Sequence, residues 1–156
     1  MIRYAESEDI PRLLDLLLQV DMVHHRARPD LFKGPATKYS EVELEAKIRR
    51  RDLQPVFVFT SDDNVVLGYA FCLFRETPYD NLLMPVRTLY IDDLCVDESF
   101  RGQGIGRALL LHVKDFARSK GCYNLTLNVW SGNDSAKRFY ENCGLKPQKY
   151  VLEEIL

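Results

Sequence analysis

The clearest periodicity lies near the start of the chain, where Ile10, Leu13, Leu14, Leu17 and Leu18 recur at i, i+3, i+4, i+7 and i+8. That spacing predicts an amphipathic helix. Ile2-Arg3-Tyr4 alternates ahead of it as a short strand, Ser7 or Asp9 can cap the helix, and Pro11 is tolerated in its first turn. The pattern breaks from Met22 to Lys38, where Pro29, Gly34 and Pro35 predict a loop. Ser40-x-x-Glu43 is a capping box opening a second helix, acidic early and basic late (Lys47 to Arg51), as the helix dipole prefers.

The pattern then changes to strands. Val56 to Phe59 and Val65 to Phe74, joined by Ser61-Asp62-Asp63-Asn64, predict a hairpin. A loop over 76–85, with Pro78, Asn81 and Pro85, leads to a strand at 88–97. A helix at 104–119 follows, with Leu109, Leu110, Val113, Phe116 and Ala117 on its buried face and Gly121 beyond its end. Asn124 to Trp130 alternates as another strand, and a last helix covers about Asp134 to Asn142 before Gly144 and Pro147. Tyr150 to Ile155 is expected to add a final strand. The order β-α-α-β-β-β-α-β-α-β predicts one α/β domain over residues 1–156, a mixed sheet flanked by helices. A right-handed crossover makes strands 88–97 and 124–130 parallel, and ligands in such sheets bind at the carboxyl ends of parallel strands.

The candidate chemistry gathers at that end. Arg101-Gly102-Gln103-Gly104-Ile105-Gly106 places glycines at alternate positions between a strand and a helix. Bare backbone lets several N–H groups converge, and the helix start adds free donors and the positive end of the dipole. Such a corner suits a phosphate or pyrophosphate. Gly106-Arg107-Ala108 lacks the Gly-Lys-Ser/Thr of a Walker loop. The glycine spacing, and the absence of an acidic residue near Cys122 to Leu125, also depart from a dinucleotide fingerprint.

Arg101-x-x-Gly104-x-Gly106 closely resembles the Q/R-x-x-G-x-G/A signature of the GNAT superfamily of acyl-CoA-dependent N-acyltransferases. A second segment, Asn133-x-x-Ala136-x-x-Phe139-Tyr140-x-x-x-Gly144, is similar to another of its motifs, and the order of elements agrees. The resemblance is strongest from Val56 to Gly144. It implies a GNAT-like fold holding acetyl-CoA in the splay between strands 88–97 and 124–130. By the same resemblance Leu94, Cys95 and Val96 pair through their backbone with pantetheine, the loop from Arg101 through Gly102, Gln103, Gly104, Ile105, Gly106 and Arg107 wraps the pyrophosphate, and Asn133 and Tyr140 lie beside the pantetheine and the thioester sulfur.

Tyr140 is also argued from its position. Ala136, Phe139, Tyr140 and Cys143 fall at i, i+3, i+4 and i+7, so its phenol faces inward and needs a partner. A thiol titrates near ~8.5 and a phenol near ~10, so protonating a departing thiolate is uphill by only about 2 kcal/mol. An attacking amine must also lose a proton, and Asp92 and Asp93 are mid-strand carboxylates in apolar company. Neighbours in a strand face opposite sides, so one of the two is expected to line the site, and the composition of the faces does not choose. Resemblance to polyamine acetyltransferases favours Asp92 as base. His24, His25, Arg26 and Arg28 lie in the region that borders the acceptor in relatives, and Trp130 can wall the same cleft.

A net charge of −2 gives no footprint for nucleic acid. Arg49-Arg50-Arg51 reads as a charge complement to a helix end. Cys72, Cys95, Cys122 and Cys143 are scattered, and none has a positioned histidine, which argues against disulfides, a metal site and a covalent acyl-enzyme. No apolar run reaches membrane length. The expectation is a cytoplasmic acetyl-CoA-dependent N-acetyltransferase, without metal, acting on a small-molecule or protein amine, with a homodimer as a possible assembly. The alternative class is an acyl-CoA-binding or sensing domain that performs no transfer.

Overall fold

The computed structural model describes residues 1–77 and 81–156. The Pro78 part of the loop expected at 76–85 lies outside the described residues. The elements are β1 (Ile2–Tyr4), α1 (Ile10–Ala27), α2 (Glu41–Arg49), β2 (Val56–Thr60), β3 (Val66–Glu76), β4 (Arg87–Val96), α3 (Ile105–Ser119), β5 (Asn124–Leu127) and α4 (Asp134–Asn142). Short 3-10 turns at Ser7–Asp9 and Glu98–Phe100 precede α1 and follow β4. The five strands are ordered β1-β2-β3-β4-β5. All pairs are antiparallel except β4 with β5, which run parallel from Thr88↔Asn124 to Ile91↔Leu127.

Alternation along the strands divides the core into two layers. Val56, Val58, Tyr69, Phe71 and Cys95 pack against Leu13, Leu16 and Leu17 of α1 and Leu44 and Ile48 of α2. Phe57, Ala70, Cys72, Leu89 and Ile91 pack against Ile105, Leu109, Leu110 and Val113 of α3. The capping box forms as read: Ser40 accepts from the Glu43 N–H, and Glu43 accepts from the Ser40 N–H. Among the described residues no helix is long and apolar enough to cross a membrane.

Three expectations are corrected. Helix α1 runs on to Ala27, so His24, His25 and Arg26 are helical rather than in a loop. No breaker precedes Pro29, and Arg28, the residue before it, is the one that leaves helical geometry. Strand β5 stops at Leu127, three residues short of Trp130, where the Asn128 amide donates to the Tyr90 hydroxyl at 3.2 Å. Residues 150–155 form no strand: β propensity alone does not supply pairing, and Glu153 in this segment is bound instead by Arg28 at the end of α1.

The most consequential feature is a bulge in β4. Phe71 pairs with Asp93 and Cys72 with Ile91, which leaves Asp92 as an extra residue. Before the bulge, Leu89 and Ile91 face α3; after it, Leu94 and Val96 face α3 and Cys95 faces α1.

Gly68 of β3 is what lets the strands approach beyond the bulge, because a Cβ there would lie 2.8 Å from the Cys95 carbonyl oxygen. The obstacle is backbone and cannot swing aside. Gly68→Ala should therefore force β3 and β4 apart and destabilise the fold by about 1–3 kcal/mol, read as a lower denaturant midpoint.

Candidate active site

The bulge overturns the expectation that the paired aspartates face opposite sides of the sheet. Both carboxylates lie on the α1–α2 side of the sheet. Asp92 accepts a short hydrogen bond from the Tyr39 hydroxyl and an ion pair from Lys38 Nζ at 2.9 Å. Asp93 accepts from the Tyr69 hydroxyl at 3.0 Å. Tyr39 and Tyr69 both pack on Phe71, with ring centroids 5.6 and 4.6 Å away, so the two pairs belong to one cluster.

Their environments drive the two acids apart. Burial alone would raise Asp92, but the bonds from Tyr39 and Lys38 outweigh it and hold the carboxyl below its ordinary range. Burial dominates at Asp93 and pushes it up to about 6; Lys38 and Tyr69 pull it down, and the Asp92 charge pushes it up further. Lys47 lies over the Tyr39 ring, 4.4 Å from the centroid. Burial lowers its pKa, with the Lys38 charge adding to the effect.

Tyr140 faces this cluster from α4. Burial raises its pKa, and the Asp93 charge raises it again. Among the described residues its hydroxyl has no hydrogen-bond partner, which leaves the group available to a ligand. Cys95 lies close by but is spoken for: its thiol donates to the Leu16 carbonyl at 3.6 Å, and burial pushes it up to about 12. Burial raises Cys72 too. Neither thiol is poised as a nucleophile.

Beyond Ile91, among the described residues, β4 has no partner on the side where β5 departs. Asp92 to Val96 therefore present an open strand edge. At its carboxyl end Gly102 and Gly104 take φ of 78° and 83°, the left-handed region where glycine is unstrained. Gly106 has a different role: a Cβ there would touch Phe139 of α4 at 3.4 Å, so it is a packing glycine. Among the described residues nothing accepts from the N–H groups of Gly102 to Arg107. The side chains of Gln103 and Arg107 are exposed, that of Ile105 is buried in the core, and Arg101 Nε donates to the Val96 carbonyl at 3.1 Å.

The loop is aimed by α1. Arg12 binds the buried Asp97 carboxylate through a short hydrogen bond, Asp97 accepts from the Ser99 N–H at 2.8 Å, and Gln19 accepts from the Glu98 N–H at 3.1 Å. Asn133 caps α4, accepting from the Ala136 N–H at 3.2 Å, and among the described residues its amide N–H₂ has no acceptor. A cavity of about 300 Å³ lies between the end of α1 (Val23, Arg26, Ala27) and Gly132 and Asn133. His24 stacks on Phe32 at 5.0 Å, and Phe32 meets Trp130 edge-on at 5.2 Å, so these rings wall one side of the cleft.

Sequence reasoning missed Lys38, Tyr39, Lys47 and Tyr69. Tyr69 read as an ordinary core residue of a hairpin strand. Lys38 and Tyr39 stood just before the capping box, with no local sign that they meet a strand more than fifty residues on. Of the remaining expected residues, Leu94 to Val96 lie on the end of β4 and Arg101 to Arg107 on the loop and first turn of α3 that follow it, while Asn133 caps α4 and Tyr140 lies within α4. Among the described residues no group of histidine, cysteine and acidic side chains could hold a metal ion.

Comparison with known proteins bears on the family and the fold. Over 79 residues the chain is 33% identical to a thialysine N-epsilon-acetyltransferase of Bos taurus, covering 51% of this chain and 44% of that protein. Over 57 residues it is 39% identical to a glucosamine 6-phosphate N-acetyltransferase of Trypanosoma brucei brucei, covering 36% and 37%. The chain thus spans less than half the length of these curated relatives. The crystal structure of a mutant protein from Bacillus halodurans superposes with a TM-score of 0.95 at 29% identity, covering 100% of this chain and 99% of that one. The sequence model of the Acetyltransferase (GNAT) family matches residues 20–145, and the chain belongs to that family.

Proposed function

We propose that the protein is an acetyl-CoA-dependent N-acetyltransferase that moves the acetyl group to a primary amine by direct attack in a ternary complex. One observation carries this reading: the open edge of β4 runs from a row of free backbone N–H groups to Asp93 and Tyr140. The donors from Gly102 to Arg107 suit a pyrophosphate, and the backbone of Leu94, Cys95 and Val96 suits the amide groups of a pantetheine arm. The Asn133 amide, which has no acceptor among the described residues, adds a donor. The family match supports the same cosubstrate. The relatives named for glucosamine 6-phosphate and thialysine support a small-molecule amine acceptor. Four unpaired cysteines suit the cytoplasm.

Within this reading the two aspartates have different tasks. Asp92, held ionised by Lys38 and Tyr39, supplies a fixed negative charge that favours a cationic acceptor. Asp93, with its raised pKa and single hydroxyl donor, is the better proton acceptor, reversing the preference for Asp92 drawn from resemblance. As the nitrogen–carbon bond forms, Asp93 takes the proton of the attacking nitrogen. As the carbon–sulfur bond breaks, Tyr140 donates to the sulfur. Burial keeps the Tyr140 proton in place, so full transfer costs more than the gap of about 2 kcal/mol between free phenol and thiol. Its first contribution is a hydrogen bond to the developing thiolate.

Gly104→Val tests the pyrophosphate loop. Space is open around a Cβ there, but the φ of 83° is hostile to a β-branched residue. The loop should leave this geometry, and acetyl-CoA affinity should fall at least tenfold by calorimetry with the fold intact; unchanged affinity would remove the loop from the proposed site.

The base is tested by its pH profile. A base must be deprotonated to act, so kcat/KM should fall as pH drops through about 6. Asp93→Asn should abolish that limb and lower the neutral-pH rate by about 10²–10⁴-fold, less so at high pH where the amine is already neutral. Asp92→Asn should mainly raise KM for a cationic acceptor. If the limb survives in Asp93→Asn, another group accepts the proton.

Tyr140→Phe deletes only the hydroxyl. Stability and acetyl-CoA binding should hold within a few-fold while the single-turnover rate drops about 10²–10⁴-fold. A single-turnover rate equal to wild type would return Tyr140 to a packing role.

A further inference from the structure

The end of the sheet opposite the candidate site holds a second cavity, of about 370 Å³. It lies between the turn after α2, the end of β3, the start of β4 and the end of α3. Its floor is a continuous run of rings, with Phe116 meeting Tyr4 at 6.4 Å and Phe74 at 6.0 Å. A cation lies over each ring: Arg51 is 5.1 Å from Tyr4, Arg87 4.1 Å from Phe74 and Lys120 5.5 Å from Phe116. All three cations line the cavity. Arg87 opens β4, about 17 Å along the strand from Asp92, so this cavity is separate from the open edge of that strand.

The charges around it are unevenly paired. The Arg49-Arg50-Arg51 run, expected to complement the end of α2, is divided: Arg49 pairs with Glu45 at 2.8 Å, whereas Arg51 turns to the cavity. Arg118 pairs with Asp115 at 2.6 Å, but among the described residues neither Arg51 nor Lys120 forms an ion pair. Arg87 Nη1 donates to the Lys120 carbonyl at 3.2 Å. Its Nε is buried and, among the described residues, donates to nothing, with the Glu76 carboxylate 3.6 Å away. Among the described residues the acid lining the cavity is Asp52. A helix end favours a nearby cation, which accounts for Lys120 at the end of α3 but not for three cations on one cavity.

We infer that this cavity binds a compact anion of two or more negative charges, an oligophosphate or a polycarboxylate, between Arg51, Arg87 and Lys120. Three cations face one lining carboxylate, so an anion of that charge balances the cavity. A guanidinium held over a ring still offers its in-plane N–H groups to an oxyanion, in the bidentate manner that carboxylate and phosphate accept. The rings restrain the cations before the ligand arrives, which lowers the ordering cost of binding. Their apolar floor also keeps water from one side and strengthens each attraction. The volume is that of a small-ligand site.

Titrating tripolyphosphate, and separately citrate, into the isotope-labelled full chain tests this through its amide resonances. At about 0.15 M salt the amides of Arg51, Asp52, Arg87 and Lys120 should shift together, with a dissociation constant below about 1 mM. A response to tripolyphosphate marks an oligophosphate site, and a response to citrate alone a polycarboxylate site. Silence with both anions, weaker binding, or shifts confined to residues 102–107 would overturn the inference. Arg51→Gln/Lys120→Gln should weaken the cavity response about tenfold or more and leave any response of residues 102–107 unchanged, which separates this site from the proposed pyrophosphate loop. Lys120 is exposed, so Lys120→Gln alone, expected to weaken binding at least threefold, decides the matter if the double variant does not fold. Wild-type affinity in the variant would show that the anions bind elsewhere, and the inference would fall.

Discussion

The extra residue in β4 is the constraint on which the rest depends. β3 pairs with β4 on both sides of Asp92, so the bulge cannot be relieved by slipping the strand. Its added twist coincides with the point where β5 leaves, since the parallel register ends at Ile91. One irregularity thus opens a strand edge and turns two successive carboxylates to the same face. In a regular strand Asp92 and Asp93 would lie on opposite sides, one of them against the apolar face of α3, and no shared site would form.

Two carboxylates on one partly buried face repel each other and lose hydration, and the surrounding residues divide this cost unequally. Lys38 and Tyr39 stabilise the Asp92 carboxylate, whereas at Asp93 the Tyr69 hydroxyl and the Leu94 backbone do not offset burial. Asp92 therefore keeps its charge and raises the proton affinity of its neighbour. Their titrations are linked, so removing Lys38 would change Asp93 as well as its own partner. Tyr140 responds to the same field, which is how a residue on α4 senses the protonation state of a strand it does not hydrogen-bond.

What was legible in the sequence was what repeats or caps locally. Leu13, Leu17, Leu109 and Leu110 declared the helices by spacing, and Ser40 with Glu43 declared the start of α2. The glycines at 102 and 104 declared a turn that other residues resist. The bulge was not legible, because alternation through Leu89, Ile91, Asp93 and Cys95 reads as one face when no residue is counted as extra. The network around Lys38 and Tyr39 was hidden for another reason: its partner lies more than fifty residues away, and periodicity carries no such information. Tyr150 to Ile155 shows the opposite error, since strand propensity without a pairing partner produces no strand.

The glycine loop shows why a motif match is only half of a site. Its free N–H groups follow from local sequence, but their direction follows from α1, through Arg12 to Asp97 and Gln19 to Glu98. Asp97 is nearly buried, and the Ser99 N–H and Arg12 hold it ionised despite that burial. Its folded pKa lies below its unfolded value, so the stability it contributes is complete above the unfolded pKa and disappears as pH falls through the folded one. Acid should therefore loosen the end of β4 and the loop together, since both hang on one carboxylate. In this chain the first helix, far from the motif in sequence, sets where the backbone donors point.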